Sequence, residues 1–283
     1  MTAPPDPFSG RLRSVESPAG DLGRQQAGRP LPALSDYVLA LGDDVLIAAQ
    51  RTGEWIAASP QIEQDVAIGN IGLDLLGQAR SLLTYAGSLQ DPVRSEDELA
   101  YFRDEREFRN VHLVERPWGV GTRDFGVAVA RLLILSTYLC GLYDALSRSS
   151  DETLAAVAAK AVKEVDYHRD HAMMWTLRLG DGTEESHARV QAALEAEWPY
   201  VAELFDADYV DPRLLDAGIA VDPASLRDQF DGRIAEVLAQ ATLTVPEVTP
   251  AVTGGRRGAH SEQMGYLLAE MQYLARAHPG ASW

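Results

Sequence analysis

Side chains three or four positions apart on a helix share one face, so chemistry in a helical chain is sought first at those spacings. Asn70, Asp74 and Gln78 stand four apart within residues 62–90, IEQDVAIGNIGLDLLGQARSLLTYAGSLQ, and form a polar line beside an apolar stripe. A carboxylate and two amides held at depth must each find a partner, because an unmet buried polar group costs roughly 1–3 kcal/mol. Such a line is where a bundle keeps a metal or a substrate, or once kept one. Paired metals held by carboxylates need more: an acid from each of two helices and a Glu-x-x-His pair from each of two others. Glu184 and His187 make the one Glu-x-x-His in the chain. They follow Gly182-Thr183, where acids answer the helix dipole, so they read as an N-terminal capping cluster. His168 shares the apolar face of Ala161, Val165, Ala172, Trp175 and Leu179, with Glu164 four residues before it, and reads as a hydrogen-bonded core histidine. Asp170 and His171 are expected to face solvent. Residues 253–258, TGGRRG, offer the guanidiniums of Arg256 and Arg257 and open amides, a set suited to phosphate, although a flexible surface loop is the plainer reading. No phosphate loop, dinucleotide fingerprint or nucleophile elbow is present, and Cys140 has no thiolate-activating neighbour.

These residues need elements to position them, and the apolar periodicity predicts an all-α chain. Helices are expected at 36–58 with Ser35 as N-cap, 62–90, 97–114, 125–147, 152–179, 183–205 with a kink at Pro199, 224–243 and 261–277. Residues 1–34, rich in Pro, Gly, Ser and Arg, read as a flexible extension, and 35–283 as a single helical domain. The segment 97–114 is highly charged, which assigns it to solvent or to a partner. The segment 125–143 is apolar enough to suggest a membrane span, but Arg131 near its middle makes it a buried bundle helix instead. The 42 acidic residues outnumber the 25 basic ones for a net charge of −17, which argues against nucleic acid or an anionic membrane as the main partner. One cysteine excludes an internal disulfide, and no secretory apolar region is seen near residue 1, so a cytoplasmic location is expected.

Several strings carry a resemblance: LGDDVLIAAQRTGEW (41–55), AIGNIGLDLLGQAR (67–80), DELAYFRDEREFRN (97–110), VKEVDYH (162–168), ELFDAD (203–208), GIAVDP (218–223) and TGGRRGAHSEQMGYLLAEMQYLARAHPG (253–280). Over residues 36–283 the chain resembles the non-catalytic, structural subunits of bacterial phenylacetyl-CoA epoxidases. These are ferritin-like relatives of the catalytic subunit that carries the di-iron centre. The resemblance implies a long antiparallel four-helix bundle with additional C-terminal helices. It implies a hetero-oligomeric monooxygenase of phenylacetate catabolism, which makes the ring 1,2-epoxide of phenylacetyl-CoA with O₂. The implied partners are the catalytic subunit, further small subunits and an NADPH-dependent reductase.

Carried over residue by residue, the catalytic relative's first Glu-x-x-His falls on Leu75 and Gln78, after Asp74, and its second on Val165 and His168. The carboxylate of the intervening helix falls on Ser136, and that of the first helix near Asp43 to Val45, matched here to Asp44. The resemblance therefore implies a degenerate di-iron site with no catalytic residue, metal or cofactor in this chain. Gln78, Ser136 and His168 are expected to hydrogen-bond one another in its place. Asn70, Asp74, Arg103, Arg106, Arg256 and Arg257 are the candidate contacts to a partner or substrate. A competing expectation is a mono-iron or di-iron oxygenase active in its own right, using His168, Asp43 or Asp44 and glutamates elsewhere. A third is a stand-alone structural homo-oligomer.

Overall fold

An amphipathic helix is stable when its apolar stripe meets another, and the four long helices of this chain do so in pairs. The computed structural model describes residues 31–119, 121 and 123–281. Helices α1 (Leu31–Gly53) and α2 (Ile62–Ser88) pack along their lengths as one pair, and α5 (Phe125–Leu146) and α6 (Glu152–Gly180) as another. The pairs meet through α2 and α6. Leu41, Ile47, Ile71, Leu82, Ile134, Leu142 and Val165 are among the side chains buried between them. The described residues contain helices, turns and loops but no strand, and the ferritin-like helical bundle is the architecture.

Residues 89–124 cross from the first pair to the second and contain the short helices α3 (Glu96–Tyr101) and α4 (His112–Glu115). After α6, α7 (Glu184–Glu197) packs on α5 and α6, and α9 (Arg227–Gln240) on the same pair; between them lie a 3-10 segment at Trp198–Phe205 and the short α8 (Pro212–Asp216). The last helix, α10 (Glu262–Ala277), returns to the other side of the molecule, against α3, α4 and α1. Helix α5 is long and apolar enough to cross a membrane by length and composition, yet 83% of its apolar window is buried inside the fold. Arg131 is part of that burial and pairs with the carboxylate of Glu197 at 2.8 Å.

Several boundaries differ from those read above, among them the end of α1, at Gly53 rather than 58, and the span of α9, 227–240 rather than 224–243. Helix α1 starts at Leu31, so residues 31–34 belong to it rather than to an extension; residues 1–30 lie outside the described residues. Ser35 is an interior residue of α1, not its cap, and its hydroxyl donates to Ala86 O at 3.0 Å across the first pair. The expected helix at 97–114 is broken into α3, a 3-10 turn at Glu105–Glu107 and α4. The backbone N–H groups of Arg109, Val111 and His112 go to the carboxylates of Asp43, Asp44 and Glu203, at 2.9, 2.9 and 2.7 Å. Buried tertiary acceptors have replaced the carbonyls a helix would have offered. Near Pro199, α7 ends at Glu197 and continues as the 3-10 segment instead of kinking.

Candidate functional site

Helices α2 and α6 face each other where the polar line was read, and two cross-helix pairs join them. His168 Nε2 lies 3.0 Å from Asp74 Oδ2, and Gln78 donates to Glu164 Oε2 at 3.0 Å. Burial lowers the pKa of His168, with the Asp74 carboxylate opposing, so the neutral ring at pH 7 donates from Nε2. Asp74 keeps 38% of its side chain in solvent, and Lys160 Nζ lies 3.4 Å from Glu164 Oε1. The pairs therefore lie at the edge of the bundle. Ser136 takes no part: its hydroxyl donates to Leu132 O, one turn back in α5, at 2.6 Å. The expected bonding among Gln78, Ser136 and His168 is thus corrected to Asp74–His168 and Gln78–Glu164, because Asp74 and Glu164 reach the same face. Leu75 and Val165, one residue from Asp74 and Glu164, point inward and belong to the continuous apolar core.

Asp44 belongs to a different cluster. Adjacent acids Asp43 and Asp44 are both buried on α1, and each is met by an arginine from a distant segment. Arg103, just after α3, holds both oxygens of Asp43, with Nη1 at 2.9 Å from Oδ2. Arg256, from the loop before α10, reaches Asp44 Oδ2 at 2.7 Å and also donates to the carbonyls of Ala40 and Arg109. Burial raises the Asp44 carboxyl to about 6, against the lowering by Arg256 and by the Val111 amide. Neither Arg103 nor Arg256 is available as a surface contact, which corrects both expectations: buried carboxylates claim them. Arg106 and Arg257 are exposed, as is Asn70.

The loop that delivers Arg256 is an internal plug rather than a flexible surface segment. Gly255 passes so close to the crossover that a Cβ there would meet Asn110 O at 2.0 Å, and Gly258, at φ 74°, would meet Arg106 O at 2.2 Å. Next along the chain, His260 is fixed from both sides, with Nδ1 at 2.8 Å from Glu115 Oε2 and Nε2 at 3.1 Å from Phe108 O. Both acceptors call for an N–H, an arrangement that favours the doubly protonated ring. Burial would lower its pKa, but the Glu115 hydrogen bond and charge outweigh this and raise it. Burial likewise works to raise Glu115, and His260 and Ser261 N–H bring it below its ordinary value. His112, Glu115 and His260 are three metal-ligand types with donor atoms within 4.8 Å of one another. His260 already has an acceptor at each ring nitrogen, and His112 Nε2 faces Ala259 O at 2.7 Å. The cluster acts as a clamp between the crossover and the C-terminal loop.

His171 is buried, not solvent-facing, beside a cluster of Trp55, Trp118 and Phe125, and burial lowers its pKa. At Glu184–His187 the capping reading describes the local geometry. Thr183 accepts from Ser186 N, and His187 Nδ1 bonds back to Gly180 O at 2.8 Å. Cys140 is buried, and burial pushes its thiol up to about 11.

The sequence matches the family described as Phenylacetic acid catabolic protein over residues 23–283. The chain belongs to this family. Within it, the chain is 45% identical over 250 residues to one of the subunits of the 1,2-phenylacetyl-CoA epoxidase of Escherichia coli (strain K12), an alignment covering 88% of this chain and 99% of that one. The di-iron centre implied for catalytic members of the family can be tested against the residues present. Two of the six matched positions, Leu75 and Val165, are buried aliphatic groups; Ser136 is bonded within its own helix; Asp44 is held by Arg256. Gln78 and His168 remain, facing the α2–α6 groove with carboxylate partners of their own. This set does not fit two carboxylate-bridged metals.

Sequence reasoning missed Asp43–Arg103, Asp44–Arg256 and Glu115–His260. The signal for the first two was visible: two adjacent acids inside an apolar helix demand cations. Which arginines answer was not visible, because the partners lie 60 and 212 positions away.

Proposed function

We propose that this chain is the structural, metal-free subunit of a multicomponent 1,2-phenylacetyl-CoA epoxidase, supporting a di-iron catalytic subunit in the cytoplasm. Kinship with an epoxidase subunit supports the complex, and the filled bundle centre supports the division of labour. The observation that carries the reading is that Asp44 is paired with Arg256, while Leu75 and Val165, at two other matched positions, are buried aliphatic groups. Gathered carboxylates repel one another and resist desolvation unless a cation compensates. Here the one buried carboxylate at a matched position has a fixed guanidinium as its counter-charge, and apolar side chains fill the remaining space. The chain then contributes surface and rigidity. The catalytic partner binds phenylacetyl-CoA and activates O₂, and further small subunits and an NADPH-dependent reductase complete the complex.

Co-expression with the di-iron subunit, followed by metal analysis of the complex and of each separated chain, tests this. The expected result is a stable complex whose iron stays with the partner, leaving only traces on this chain. Stoichiometric iron on the isolated chain, lost in His168→Ala together with oxygenase activity, would overturn the proposal in favour of an independent metalloenzyme.

A further inference from the structure

Helices α1 and α2 do not close against each other along their outer edge. They leave a groove of about 690 Å³, walled by Leu46, Ala49 and Gly53 from α1 and by Val66, Leu73 and Leu76 from α2. Val66 and Leu73 are 60% and 66% exposed, and Ile56 and Ile62 extend the apolar surface at one end. Tyr101 and Met271 border the groove where α3 and α10 approach. Contiguous apolar surface of this kind, rimmed by polar groups, marks an interaction site.

Charge decides what fits it. Among the described residues, the titratable side chains lining the groove are Glu54, Asp65 and Tyr101, with no arginine, lysine or histidine. Glu54 is answered internally by Arg51 at 2.7 Å. Asp65 is not: among the described residues no cation pairs with it, and its Oδ1 has no hydrogen-bond partner. Asp65 lines the groove as a carboxylate without a counter-charge among the described residues, and an incoming ammonium or guanidinium would supply one. Asn70, exposed on the same wall, adds an amide for orientation. A second copy of this chain laid groove to groove would bring acid to acid between molecules of charge −17 and leave Asp65 unanswered. The phosphates of a coenzyme A thioester would be repelled for the same reason.

We infer that the groove between α1 and α2 receives an amphipathic helix of the partner subunit, its apolar face on Val66, Leu73 and Leu76 and a lysine or arginine on Asp65. Helix-in-groove docking of this kind uses anchors one and two turns apart, and Val66, Leu73 and Leu76 repeat along α2 at that helical interval. The inference rests on the assembly proposed above and names the surface that makes it.

The test compares binding of the co-expressed di-iron subunit to the full-length wild-type chain, to Val66→Glu/Leu73→Glu and to Asp65→Lys. The altered side chains in the double variant are largely exposed in the free chain, so its melting temperature should stay at the wild-type value. The expected result is weakening of roughly tenfold or more in both variants, with salt dependence reduced in Asp65→Lys. Wild-type affinity in the folded double variant would overturn the groove assignment and leave the assembly standing. So would a wild-type homodimer that the double variant abolishes, or a loss of thioester binding with assembly unchanged. A wild-type chain that fails to bind the di-iron subunit would overturn the proposed function and this inference together.

Discussion

Asp43 and Asp44 show how a single residue type constrains its surroundings. Folding takes both carboxylates out of water, and each is stable there only because a guanidinium arrives with it. Removing one partner leaves the other's charge buried and uncompensated. Arg256→Met is therefore expected to destabilise the chain by about 3–5 kcal/mol in urea unfolding. Asp44→Asn combined with Arg256→Met should recover part of that loss, because no bare charge remains. Equal destabilisation by the single and double variants would show that Arg256 acts through packing alone. The Glu115–His260 pair makes a different prediction, through pH. His260 is raised above its ordinary 6.5, so its contribution is complete below 6.5 and is lost as pH rises through its folded value. Glu115 is lowered from 4.5, so its contribution is present above 4.5 and is lost as pH falls through its folded value. The clamp is strongest between those limits. The stability gap between wild type and His260→Gln should be largest at about pH 5.5 and shrink as pH rises through the ring's folded value. A gap independent of pH would mean that the ring is neutral and packs without its second proton.

The long helices carry the next scale of argument. Along α2 and α6 the apolar and polar positions divide cleanly: Leu75 and Val165 enter the core, while Asp74, Gln78, Glu164 and His168 pair across the helix edges. Restoring the ligand pattern would reverse this division. Leu75→Glu, Gln78→His and Val165→Glu together would place two carboxylates in an apolar centre and strip Glu164 of its amide partner. Melting of the metal-free triple variant should reveal a loss of at least about 3 kcal/mol. An unchanged or raised melting temperature would count against a packed centre. The crossover behaves differently from the helices. Its segment 97–114 has helix-compatible composition, but the buried acids Asp43, Asp44 and Glu203 take its amides one by one and hold it out of helical form.

At the scale of the whole molecule, the acidic surface and the clefts left by the bundle face outward together. A charge of −17 keeps copies apart and favours a basic partner, whereas an apolar groove such as that between α1 and α2 needs covering. The sequence by itself determined the helices read at 62–90, 125–147 and 152–179 to within two residues, because a 3.6-residue apolar period is written locally and survives any tertiary arrangement. It also determined the aliphatic identity of positions 75 and 165, and through the resemblance gave them meaning. Only the tertiary structure decided that Arg103 and Arg256 are internal counter-charges, that Asp74 rather than Ser136 meets His168, and that residues 253–261 plug the fold. Those outcomes depend on which distant segments share a low-dielectric space. A charge is indifferent to sequence separation, so nothing in the neighbourhood of Asp44 along the chain could have pointed to an arginine 212 residues away.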